Sequence, residues 1–167
     1  MKYLAQNKRL MSVAAVALIA VLLAACSGDP TPPRDLLLDP ADFPGEGFTE
    51  TNRNDTETNL NQPAVQVELS NPGLTVLESL VLFETEERAT DILAGIKQEQ
   101  LAQGVASVPV DGFYDNSGVM QVQLYGEEAS ALFFVEGRAL VRITVSGDGQ
   151  ADRVWEIAGL AREKSAT

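Results

Sequence analysis

The stretch SALFFVEGRALVRITV, residues 130–145, decides how this chain folds. Two apolar runs flank Glu136-Gly137, which fits a tight hairpin turn or a turn with a bulge, Gly taking the positive φ. In the second run Val141, Ile143 and Val145 alternate with Arg142 and Thr144, the period of a strand. The valine and isoleucine face is assigned to the core. Just upstream, residues 119–125 alternate as a third strand, and Gly126-Glu127-Glu128 is read as the turn between them. Downstream, Asp148-Gly149 opens a helix to about Lys164, with Ala151, Val154, Trp155, Ala158 and Ala161 as its apolar stripe.

The same reading extends toward the amino terminus. Thr85 caps a helix whose first turn carries Glu86 and Glu87, carboxylates that suit the positive end of the dipole. Ala89, Ile92, Leu93 and Ile96 give it one apolar stripe, and Gln103-Gly104 ends it. Residues 74–84 are apolar on both faces, which predicts a central strand. Residues 62–71 alternate and lead into the turn Asn71-Pro72-Gly73. Asp39-Pro40 predicts a short helical turn ended by Pro44 and Gly45, and residues 49–59, between the apolar anchors Phe48 and Leu60, an edge strand or loop. The expected order is β-β-α-β-β-β-α. Short turns between strands predict mostly antiparallel pairing, so the fold class is α+β. The expectation is a two-layer sandwich with two long helices on one face of the sheet.

Residues 1–25 have a different character. Lys2, Lys8 and Arg9 precede an apolar run of 16 residues from Leu10 to Ala25, the anatomy of a secretory signal. The run is short for a span, which needs about 20 apolar residues. Leu23-Ala24-Ala25-Cys26 resembles a bacterial lipobox, and Cys26 is the one cysteine of the chain. The resemblance implies lipid attachment at Cys26 and cleavage before it. Residues 26–34, rich in Pro, Ser and Gly, then form a lipidated tether, and residues 35–167 a single domain. The protein is expected to be exported and held to a membrane by lipid, on the periplasmic or cell-surface face.

Composition narrows what the domain can do. The chain has 12 basic and 24 acidic residues, and loss of Lys2, Lys8 and Arg9 takes the formal net charge from −12 to −15. Such a surface repels nucleic acid, which is bound by neutralising phosphates. There is no histidine, the commonest general base and metal ligand. Cys26 is committed to lipid. Ser-His-Asp and Cys-His arrangements are therefore excluded. No Gly-rich loop follows a strand in the phosphate-binding pattern. Asp111, Asp115, Asn116 and Ser117 place four oxygen side chains in seven residues and form the one candidate calcium loop. Their spacing does not match an EF-hand, and a turn whose side chains bond their own backbone is the preferred reading. No cofactor is implied.

Strand-to-helix joint FETEERA, hairpin ALFFVEGRALVRI and closing helix DRVWEIAGLARE, behind a lipobox, resemble the PsbP-like fold. That fold occurs in photosystem extrinsic proteins and in small actinobacterial lipoproteins of the LpqN type. The resemblance covers about residues 74–163 and implies a non-enzymatic binding or accessory module on the outer face of a membrane. The expected function is an envelope-tethered module for a protein or small ligand. The alternatives are a structural or assembly component of an envelope complex, or a carboxylate-based hydrolase.

Overall fold

A computed structural model describes residues 31–57, 62–108, 110–113 and 115–166. The chain divides into two compact units, Met1–Thr31 and Pro32–Thr167. The signal-like stretch, the lipobox and Cys26 lie outside the described residues, as do Leu60 and Tyr114.

The second unit is a six-stranded antiparallel sheet with two long helices. Its strands are β1 (Thr49–Glu57), β2 (Pro63–Ser70), β3 (Leu74–Leu82), β4 (Met120–Leu124), β5 (Glu127–Glu136) and β6 (Ala139–Gly147). Helix α1 (Glu86–Ala102) follows β3, and α2 (Gln150–Ser165) follows β6. The sheet order is β1-β2-β3-β6-β5-β4. Two three-strand meanders thus meet where β3 pairs with β6, and each meander is followed by one helix.

The expected α+β class and antiparallel sheet hold, but the placement of both helices on one face does not. On one face the cross-strand rows are Val65-Leu80-Val141-Phe134, Val67-Glu78-Ile143-Leu132 and Leu69-Val76-Val145-Ser130. Val154, Ile157, Ala158 and Ala161 of α2 pack there. On the other face, Ala64, Val81, Phe83 and Leu140 meet Ala89 and Leu93 of α1. The cause is written into β3, which is apolar on both faces, and into Leu140 of β6 beside Val81, so the sheet needs cover on both sides. For the same reason Thr144 is buried although it points away from Val141 and Ile143.

Local chemistry sets the joints. Thr85 accepts a hydrogen bond from the Arg88 amide and caps α1, as expected. The β4–β5 turn is the residue pair Tyr125-Gly126, both at positive φ, so β5 starts at Glu127 rather than after Glu128. Gly147 has φ +108°, and a Cβ there would stand 2.1 Å from the carbonyl oxygen of Gly73. Trp155 is half-buried, edge-on to Phe113 at 5.7 Å, while Ile157 takes the buried position and Ala151 is exposed.

A strap formed by residues 33–43 completes the α2 side. Leu36, Leu37, Leu38 and Phe43 are buried against the sheet, with Phe43 4.5 Å from Phe48. The Leu38 amide donates to Glu78 Oε2 at 2.7 Å, and Arg53 Nη2 donates to the Leu38 carbonyl at 2.8 Å. Asp39 and Asp42 form a capping box around Pro40, and Lys164 Nζ bonds both, at 2.7 and 2.6 Å. The Lys164 contact holds the Asp39 carboxyl below its ordinary range. Burial pushes Glu78 up to about 8.

Candidate binding groove

The α1 side of the sheet is less completely filled. Helix α1 sits on the sheet through Ala89, Leu93 and Gln100, all buried. The neighbouring helix stripe, Ile92, Gly95 and Ile96, instead lines a groove of about 630 Å³. This is within the roughly 300–1,000 Å³ of small-molecule sites. Its floor is laid down in register rows. One row is Ala64-Val81-Leu140-Val135, apolar throughout. The next is Gln66-Ser79-Arg142-Phe133, three polar side chains ending on an aromatic ring. The groove therefore has an apolar end near Phe83 and Ile92 and a polar end at Arg142.

Arg142 is the feature of this site that stands apart. Its guanidinium carbon lies 5.5 Å from the Phe133 ring centroid, a cation–π contact. Its Nε is buried without a hydrogen-bond partner among the described residues. Among the described residues no carboxylate is paired with it, whereas Arg34, Arg53, Arg153, Arg162, Lys97 and Lys164 each face one. Arg88 and Arg138 lack ion pairs among the described residues too, but they are exposed to water. Burial lowers the pKa of Arg142, yet a guanidinium stays charged at any physiological pH. Glu57, Asp91 and Glu99 stand exposed around the groove. Gly95 leaves it open, since a Cβ there would meet nothing within 4 Å.

The candidate calcium loop is organised by its own backbone. Asn116 is buried; its Nδ2 donates to the carbonyls of Val108 and Phe113, and its Oδ1 accepts from the Gly118 amide. Ser117 Oγ donates to the Gly118 carbonyl and accepts from the Phe133 amide. Asp115 pairs with Lys97 at 2.9 Å, and Asp111 is exposed. Ser117 thus ties the 111–118 loop to β5 and Asp115 ties it to α1, while Asn116 holds the loop to itself. Among the described residues no three acidic, histidine or cysteine side chains gather as metal ligands.

Arg142 was legible as a strand residue facing away from the valine core, but not as a site. The available signal was a lone cation inside ALVRITV, the only charged side chain of that strand. The glycine in the middle of α1 was a second signal, since Gly in a helix interior costs roughly 0.5–1 kcal/mol against Ala.

No family model and no curated protein matches the chain. Among solved structures there is a likeness. The chain is similar to the extracellular domain of PknH from Mycobacterium tuberculosis. The match has a TM-score of 0.54 at 13% identity and covers 78% of this chain and 92% of that one. At that identity the likeness is one of fold. No helix among the described residues is long and apolar enough to cross a membrane.

Proposed function

We propose that this protein is an envelope-tethered lipoprotein whose compact unit binds a small ligand in the groove between α1 and the sheet, without catalysing a reaction on it. The observation that carries the reading is the groove itself, half apolar and half polar, with one unpaired guanidinium inside. A default binding site is such a concave, mostly apolar pocket with a few convergent polar groups. No histidine is present and the lone cysteine is Cys26, so Ser79 in the groove has no imidazole to activate it and no thiol takes its place. The similar mycobacterial domain is an extracellular one, which agrees with the signal-like stretch ahead of Cys26. Lipid at Cys26 is then the membrane contact, and the acidic surface disfavours both nucleic acid and close approach to anionic headgroups.

Two experiments test this. Gly95→Trp fills the groove at a position where a side chain meets open space. Unit 32–167 should take up small molecules from an envelope extract that the Gly95→Trp variant, equally folded by circular dichroism, does not. Equal uptake by both sinks the groove. For the anchor, Cys26→Ser in the full chain should abolish fatty-acid labelling and detergent-phase partitioning, and a labelled variant would sink the lipobox reading.

A further inference from the structure

The groove's chemistry narrows its ligand, and this step rests on the binding reading above. We infer that the groove takes an apolar monocarboxylate of the fatty-acid class, its carboxylate on the Arg142 guanidinium and its chain along Phe83, Ile92 and Ile96.

The head group follows from Arg142. Arg142 is half-buried and its Nε is a buried donor with no partner among the described residues, and leaving a buried donor unmet is costly. Phe133 holds one side of the guanidinium, which leaves its planar fork to face an acceptor. Carboxylates match that fork with two parallel hydrogen bonds. Ser79 and Gln66, next along the same register row, add neutral donors beside the head. The charge count then discriminates. One cation stands inside while Glu57, Asp91 and Glu99 stand exposed around it, so a dianionic phosphate meets about twice the repulsion that a monocarboxylate does.

The body follows from the rest of the lining. Ala64, Val81 and Leu140 form the floor beyond Arg142, and Ile92 and Ile96 form the helix side. A second hollow, lined by Gln62, Phe83, Glu84, Thr85, Arg88 and Ile92, shares Phe83 and Ile92 with the first. The hollow therefore continues past Phe83 and Ile92 toward the start of α1, where Glu84, Thr85 and Arg88 give it a polar mouth. A flexible alkyl chain fills such a path, whereas a sugar would leave its hydroxyls facing apolar walls.

The test uses unit 32–167 in low-salt buffer at pH 7.4, titrated with octanoate, 1-octanol, acetate and octyl phosphate below their micellar concentrations. Amide shifts of Ile92, Ile96, Phe133 and Leu140 report the groove. Octanoate should bind at least tenfold tighter than 1-octanol and octyl phosphate, and acetate should not saturate. Arg142→Met, which keeps an unbranched apolar stem, should erase the octanoate advantage while 1-octanol still binds. Arg142→Lys should restore part of it, since a lysine supplies charge without the fork. If 1-octanol equals octanoate in the wild type, the carboxylate assignment is wrong and the groove stands as an apolar site. If octanoate is held equally by Arg142→Met, Arg142 is not the head-group partner. If no probe moves the four amides, the fatty-acid assignment is overturned; the Gly95→Trp comparison then judges the groove on its own.

Discussion

Replacing Glu78 by glutamine should change how the fold responds to alkali. Glu78 lies in the row Val67-Glu78-Ile143-Leu132, fully buried; its Oε2 accepts from the Leu38 amide and its Oε1 has no partner among the described residues. Burial is the main cause that raises its pKa from 4.5 to about 8; Lys164 and Arg53 pull it down and Asp42 pushes it up. The folded protein therefore holds a proton at pH 7 that the unfolded chain has released. Between the two values the native state binds more protons, so unfolding free energy falls as pH rises. Stability from this group is fully present below 4.5 and is lost by the time pH passes the folded value near 8. At 1.36 kcal/mol per unit the loss is about 5 kcal/mol, comparable with a whole domain's stability. The chain has no histidine, so few other side chains titrate between pH 5 and 9. Urea unfolding followed by Trp155 fluorescence at pH 5, 7 and 9 measures the effect. Wild type should weaken steeply from pH 5 to about 8 and level off by pH 9. Glu78→Gln keeps an acceptor for the Leu38 amide and should give a nearly flat profile. Parallel slopes for the two proteins would refute the reasoning and place the Glu78 carboxylate in contact with water or a cation.

Three further outcomes are expected. Gly95→Ala should stabilise the unit by roughly 0.5–1 kcal/mol, because a helix-interior Gly is replaced where space is open; a lowered denaturant midpoint would mean that α1 is misplaced. Gly147→Ala should cost about 2 kcal/mol or more, since φ is +108° and the new Cβ collides with the Gly73 carbonyl; an unchanged melting temperature would contradict the β3–β6 junction. Asn116→Ala strands two carbonyls and one amide in the 111–118 loop and should cost about 1–3 kcal/mol, with faster hydrogen exchange confined to that loop and the adjacent β5 edge.

Much of the fold was legible because periodicity reports which face is buried. The hairpin 130–145, the caps of α1 and the both-sided β3 all follow from residue pattern. The side of the sheet each helix takes does not, because an apolar stripe says that a helix is covered and not by what. A closer reading of β3 carries the answer: Val81 and Phe83 point opposite to Val76 and Leu80, so one layer of helices cannot serve both. The strap was hidden for another reason. Leu36, Leu37 and Leu38 are adjacent, and a run of three apolar residues has no period to read. Glu78 was masked by its neighbours, since a carboxylate in a strand usually faces water. Arg142 becomes meaningful only when the register shows Ser79 and Phe133 on either side of it and no carboxylate.

The contact of Lys164 with Asp39 and Asp42 links residues 125 and 122 positions apart. The start and the finish of the compact unit are thus fastened to one another. A chain emerging from a ribosome or a translocon delivers the strap first and Lys164 almost last. Residues 33–43 have no α2 to rest on until nearly the whole unit has been delivered, and closing so long a loop is slow. The earliest segment to appear is then among the last to lock, and Glu78 stays open to water through most of that interval. A chain halted short of Lys164 would carry a built sheet and an undocked strap, with its three leucines still exposed.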